Sequence, residues 1–229
     1  MKERSSDIIA RDISRAILGG DLNIQESLQS ERDLAAHYKV GRPTIREALQ
    51  RLERDGWITS RKGMPAVVKD YWKQGNLMTI VTILQHEEEI PDEFIIYMLE
   101  LRVSITPAYF RDALENSRLK VISLFVPFED VPDDVHGYAD FDWHIQHQVA
   151  MLSHNPIYLL VLNSFKEIYI RMAEKYFMDP AHREASRQYY HTLLEWMLKG
   201  DVQQAEQTIH DMMITSIQLW KQKMNGGNE

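Results

Sequence analysis

From Leu77 to Met224 the apolar side chains return every three or four residues, and nowhere in that span do they alternate in the manner of a half-buried strand. The pattern is broken only by helix stops: Pro91, Pro127 and Pro132, Asn155-Pro156, Asp179-Pro180 and Gly200-Asp201. Seven helical stretches result, at 77–87, 92–115, 118–128, 134–153, 156–178, 183–199 and 201–224. The spacing predicts an all-α bundle of six or seven helices over 77–229.

The first seventy residues carry a different signal. Ile9, Ile13 and Ile17 recur at four-residue intervals on a first helix that Gly19-Gly20 closes. Ser30 is placed to cap a short helix from Glu31 to about Tyr38. Lys39-Val40-Gly41 forms a tight turn in which Gly41 is expected to supply the backbone freedom. Pro43 opens a further helix to about Asp55, with Ile45, Ala48, Leu49 and Leu52 on one face and Arg42, Thr44, Arg46, Gln50 and Arg51 off it. Two short strands follow, Trp57–Ser60 and Ala66–Val68, joined by a turn bearing Arg61, Lys62 and Gly63. A helix, a tight turn, a second helix and a hairpin make a winged helix-turn-helix, whose second helix enters the major groove. The fold class expected is mainly α: this winged domain at 1–70, a linker at 71–76, and the bundle at 77–229.

Charge divides the same way. Residues 1–70 hold 13 Lys and Arg against 11 Asp and Glu, whereas 71–229 hold 13 against 23. A basic segment inside a chain of net charge −8 suggests a nucleic-acid-facing part joined to something else. The absence of cysteine excludes disulfides and thiolate metal sites and suits a reducing compartment. With no apolar leader and no membrane-length apolar run, the chain is expected to act in the cytoplasm and to have no membrane partner.

The run SERDLAAHYKVGRPTIREALQRLERDGWI resembles the DNA-binding domain of the GntR superfamily of bacterial regulators. That resemblance implies a homodimer on a short operator palindrome of double-stranded DNA. It implies that Arg32, Arg42, Thr44 and Arg46 contact the DNA, with Lys62 and Gly63 at the wing tip. DYWKQGNLMTIVTIL, ELRVSIT, SHNPIYLLVLNSFKEIYIRMAEKYFMDP and QYYHTLLEWMLKGD are similar to the FadR branch of that superfamily. The branch implies a repressor and activator of fatty acid metabolism that leaves its operator on binding a long-chain acyl-CoA, with no other cofactor. Arg102, Tyr169, Tyr176, Tyr190, Ser216 and Trp220 match positions lining the acyl-CoA site, and Met213 stands where the family has a glycine. An acyl chain calls for an apolar tunnel and the anionic end of CoA for a cation, a part for which Arg102 is the candidate.

Two other chemistries compete. Many FadR-branch domains bind a divalent metal that holds a small carboxylic acid. Asp140 and His144, four apart on one helix face, are the weak candidates for such ligands here. The two later positions hold Tyr190 and Met212 instead of histidine, so the reading is no metal. No nucleophile elbow, phosphate-cradling glycine loop or Glu-x-x-His pairing occurs, so no catalytic residue is assigned and an enzyme is not expected.

Overall fold

The computed structural model describes residues 4–61, 63–86 and 90–226, and by contact they form two compact units, Met1–Glu88 and Glu89–Glu229.

In the first unit α1 (Ser5–Leu18) buries Ile9, Ile13 and Ile17 on the predicted stripe. Helix α2 (Glu31–Tyr38) is capped by Ser30, whose hydroxyl accepts from Asp33 N at 3.3 Å. Helix α3 (Arg42–Arg54) packs Ile45, Ala48, Leu49 and Leu52 inward. The turn between α2 and α3 differs in detail from expectation. Its left-handed residue is Lys39 (φ 54°), while Gly41 is extended (φ −71°) and acts as the N-cap of α3. Lys39 ends α2 in an αL cap, which satisfies the carbonyls of Ala35 and Ala36 before the chain turns.

Strands β1 (Ile58–Thr59) and β2 (Val67–Val68) pair antiparallel, Ile58 opposite Val68, with Trp57, Ile58 and Val68 fully buried beneath. A further edge, with no counterpart in the sequence pattern, joins them: Gln25 N donates to Val68 O, Val68 N to Glu26 O and Leu28 N to Ala66 O. Helix α4 (Tyr71–Gln74) follows, and α5 (Leu77–His86) belongs by contact to this unit. Two hydrogen bonds hold the start of α5 there: Asn76 Nδ2 to Arg54 O at 2.9 Å and Thr79 Oγ1 to Asp55 O at 2.6 Å. Gly56 (φ 87°) lies under the same junction, where a Cβ would stand 2.7 Å from Thr79 Oγ1.

Every regular element among the described residues of the second unit is a helix: α6 (Asp92–Phe125), α7 (Val135–Leu152), α8 (Pro156–Phe177), α9 (Pro180–Lys199) and α10 (Val202–Gly226). The predicted stretches 92–115 and 118–128 are one helix bent at Ser117 (φ −145°, ψ 31°), followed by a 3-10 turn at Val126–Asp130. Asp134, Asn155 and Asp179 each cap the helix they precede, accepting from Gly137 N, Ile157 N and Ala181 N. Helix α6 packs against α7 and α10, and α7 against α8. Among the described residues no helix is long and apolar enough to cross a membrane.

Candidate functional site

The stripe that α7 turns inward is Tyr138, Phe141, Ile145 and Val149, and one carboxylate, Asp142, sits in it. Asp142 is 4% exposed, a position where an acid survives only if its oxygens are matched. Four side chains from four helices match them. Tyr169 Oη donates to Oδ2 at 2.5 Å, Tyr190 Oη to Oδ1 at 3.0 Å and Gln146 Nε2 to Oδ1 at 3.1 Å. The guanidinium of Arg102 lies 3.4 Å from Oδ2, with its Cζ 5.3 Å from the centre of the Tyr169 ring. Tyr109 donates in turn to Gln146 Oε1.

The electrostatics follow from that burial. Desolvation pulls the Arg102 guanidinium down, but the Asp142 carboxylate and the surrounding tyrosines outweigh it and hold the pKa above its usual value. Burial pushes the Tyr169 and Tyr190 hydroxyls well above the usual tyrosine range, and that of Tyr176 up to about 12. These phenols are therefore neutral at any ordinary pH, and Tyr169 and Tyr190 act as donors to Asp142.

Two small cavities flank the Arg102–Asp142 pair. One, of about 30 Å³, is bounded by Ile95, Leu99, Tyr169, Met172 and Tyr176. The other, of about 10 Å³, is bounded by Tyr176, Tyr189, Tyr190, Met213 and Ser216. Trp220, 1% exposed, stacks on Tyr176 at 6.1 Å between ring centres. The six residues singled out for the ligand, from α6, α8, α9 and α10, thus gather around one buried polar centre with apolar walls. Met213 fills space on the α10 side. Among the described residues Arg102 Nε, Tyr189 Oη and Trp220 Nε1 are buried with no hydrogen-bond partner. Buried polar atoms left so are uncommon, and Trp57 Nε1 and Tyr138 Oη, outside the walls of these cavities, share the condition.

Asp142 is not among the residues that motif and spacing single out, although an acid in register with Tyr138, Ile145 and Val149 is a visible signal. Arg102 differs from its expected state: it is no free cation, because Asp142 already balances it. Asp140 and His144 are both exposed on α7, and among the described residues no group of three His, Cys, Asp or Glu could hold a metal.

On the first unit Arg42 and Arg46 are exposed in the first turns of α3, with Thr44 half-buried between them. Arg46 Nε is held by Glu31 Oε2 at 2.9 Å, and Arg32 Nε lies 3.4 Å from Asp33 Oδ1. Arg42 has no ion pair among the described residues. Gly63 takes φ 77°, which a wing tip needs, and Lys62 lies outside the described residues. A groove of about 570 Å³ runs between the α3 face at Arg46 and Gln50 and the wing at Arg61 and Gly63.

An exposed second helix beside a wing, joined to a helical unit with a buried polar centre, defines the class of winged-helix transcription regulators. Residues 5–68 match the bacterial regulatory proteins of the gntR family and residues 69–226 the FadR C-terminal domain. The chain belongs to the GntR family and carries the C-terminal domain of its FadR-type regulators. It is similar to the fatty acid metabolism regulator protein of Haemophilus influenzae (strain PittEE), 33% identical over 195 residues, 85% of this chain and 81% of the relative. The protein of that name from Shewanella halifaxensis (strain HAW-EB4) is 32% identical over 194 residues, with 85% and 81% covered. A solved structure titled "Lar controls the expression of the Listeria monocytogenes agr system and mediates virulence" has the same fold. Its TM-score is 0.61 at 16% identity, over 97% of this chain and 99% of that one. The chain is accordingly a DNA-binding transcription regulator and not an enzyme.

Proposed function

We propose that this chain is a cytoplasmic regulator of fatty acid metabolism whose homodimer leaves operator DNA when long-chain acyl-CoA enters the helical unit. The observation that carries this reading is the convergence of Arg102, Tyr169, Tyr176, Tyr190, Ser216 and Trp220, spread over more than a hundred residues of sequence, on one buried centre. The DNA is read by the free head of α3, Arg42 and Thr44, with Arg46 released from Glu31 toward phosphate and the wing at Lys62 and Gly63 lying along the backbone.

The size of the cavities supports a reading of how the effector acts. Sites for ligands of this size measure roughly 300–1,000 Å³, against about 30 and 10 Å³ here. An acyl chain therefore enters only by moving α6, α8 and α10 apart, and that displacement is the signal. Titrating the full chain with tetradecanoyl-CoA by calorimetry tests the reading. Saturation at one ligand per chain, with a negative heat-capacity change from buried apolar surface and no effect of a chelator, is the expected result. Absence of saturable binding would refute it.

A further inference from the structure

The charge of Arg102 is already balanced by Asp142, so a CoA thioester must find cations for its phosphates elsewhere. Two lysines lie at the other end of the Tyr176–Trp220 stack. Lys223 Nζ stands 4.6 Å and Lys175 Nζ 5.9 Å from the centre of the Trp220 ring. Lys223 Nζ also donates to the carbonyl of Lys175 at 3.4 Å, which draws the ends of α8 and α10 together. In a stretch with 13 basic against 23 acidic residues, two ammonium groups meeting on one buried indole are not a random solvated surface.

Lys175 is engaged as well. Its Nζ lies 2.7 Å from Asp92 Oδ1 and donates to Ile90 O at 2.8 Å, so it fastens the first turn of α6 to α8. Ile95, one turn further along α6, walls the larger cavity together with Met172 and Tyr176, neighbours of Lys175 on α8. The fastening thus sits beside the cavity that has to widen, where the chain enters the second unit.

We propose that Lys175 and Lys223 receive the phosphate-bearing end of the acyl-CoA, and that Asp92 and Ile90 O hold Lys175 until those phosphates displace them. This rests on the acyl-CoA reading above and adds to it the headgroup subsite and the element that ligand binding releases. A phosphate is a stronger partner for an ammonium than one half-exposed carboxylate, so the exchange runs toward the ligand.

The test compares two thioesters on the full chain: tetradecanoyl-CoA, and tetradecanoyl N-acetylcysteamine, which lacks the phosphates. Lys175→Met and Lys223→Met should each weaken the CoA thioester about tenfold or more, the size of a lost charge-assisted bond, and change the simple thioester by less than about threefold. Asp92→Asn, which removes the competitor and keeps the shape, should tighten the CoA thioester. Both lysine variants binding the CoA thioester as wild type does would overturn the subsite and leave the acyl-CoA reading standing. A wild type that binds neither thioester would overturn both.

Discussion

Both units of this chain carry arginines and carboxylates in contact, and the pair at each candidate site stands at an opposite extreme of exposure. Beside the head of α3 the pair is on the outside: Arg46 with Glu31 has side chains 61% and 40% exposed. In the helical unit the side chains of Arg102 and Asp142 are 18% and 5% exposed and are tied to two tyrosines and a glutamine. An exposed pair opens at little cost, which under the proposed function suits arginines that leave their partners for DNA phosphates. A buried pair costs much to open or to break, which under the proposed function suits a centre that holds one arrangement until a ligand rearranges it. The difference is between charge held ready for a partner and charge used to lock a core.

Asp142 is where that contrast is most exposed to test. Asp142→Ala strands a buried guanidinium and should cost the helical unit about 3–5 kcal/mol by denaturant unfolding, while replacing both Arg102 and Asp142 with apolar residues should cost far less. A loss of under about 1 kcal/mol in the single variant would mean the pair is no lock.

Alkali should weaken the same unit next. Burial raises Tyr176 to about 12, and Tyr169 and Tyr190 are raised well above their usual range. Groups held protonated in the fold contribute stability that is intact below the unfolded tyrosine pKa of about 10 and is lost as pH rises through the folded values. From Tyr176 alone the loss by pH 12 should be on the order of 2 kcal/mol, read as a falling urea midpoint. A flat profile from pH 9 to 12 would contradict the burial of these phenols.

On the winged side Arg42→Ala should cost about 1–3 kcal/mol in operator affinity without changing the thermal midpoint, since among the described residues it forms no ion pair. Glu31→Ala is the smallest effect. It should change stability by less than about 1 kcal/mol, because the pair with Arg46 is exposed. A large stability loss from either variant would erase the distinction between the two units.

The same contrast separates what is legible in the sequence from what is not. Local signals are legible: the Ser30 cap, the α3 stripe, the hairpin, and the Pro and Asx stops that bound α7, α8 and α9. The six ligand-site positions follow from resemblance, and the fold brings them together. What stays hidden is long-range. The pairing of 25–28 with β2, the Arg46–Glu31 bridge and the attachment of α5 to the first unit all join residues whose spacing carries no periodic trace. Asp142 is hidden for a different reason. The i, i+4 rule picks out Asp140 and His144 on the same helix, both two positions away from it and facing outward, because that rule finds shared faces and not buried ones. The apolar register of α7 is the signal that singles out Asp142.

Ligand in the helical unit and operator on the winged unit should oppose each other, and one titration decides whether they do. Operator fragments selected by the protein from random duplexes can be labelled and their affinity measured by anisotropy at fixed salt, with and without saturating tetradecanoyl-CoA. The acyl-CoA should weaken operator binding by about 5–150-fold, and operator should weaken acyl-CoA binding by the same factor. Equal operator affinity in the presence and absence of bound acyl-CoA would show that the two sites are not coupled.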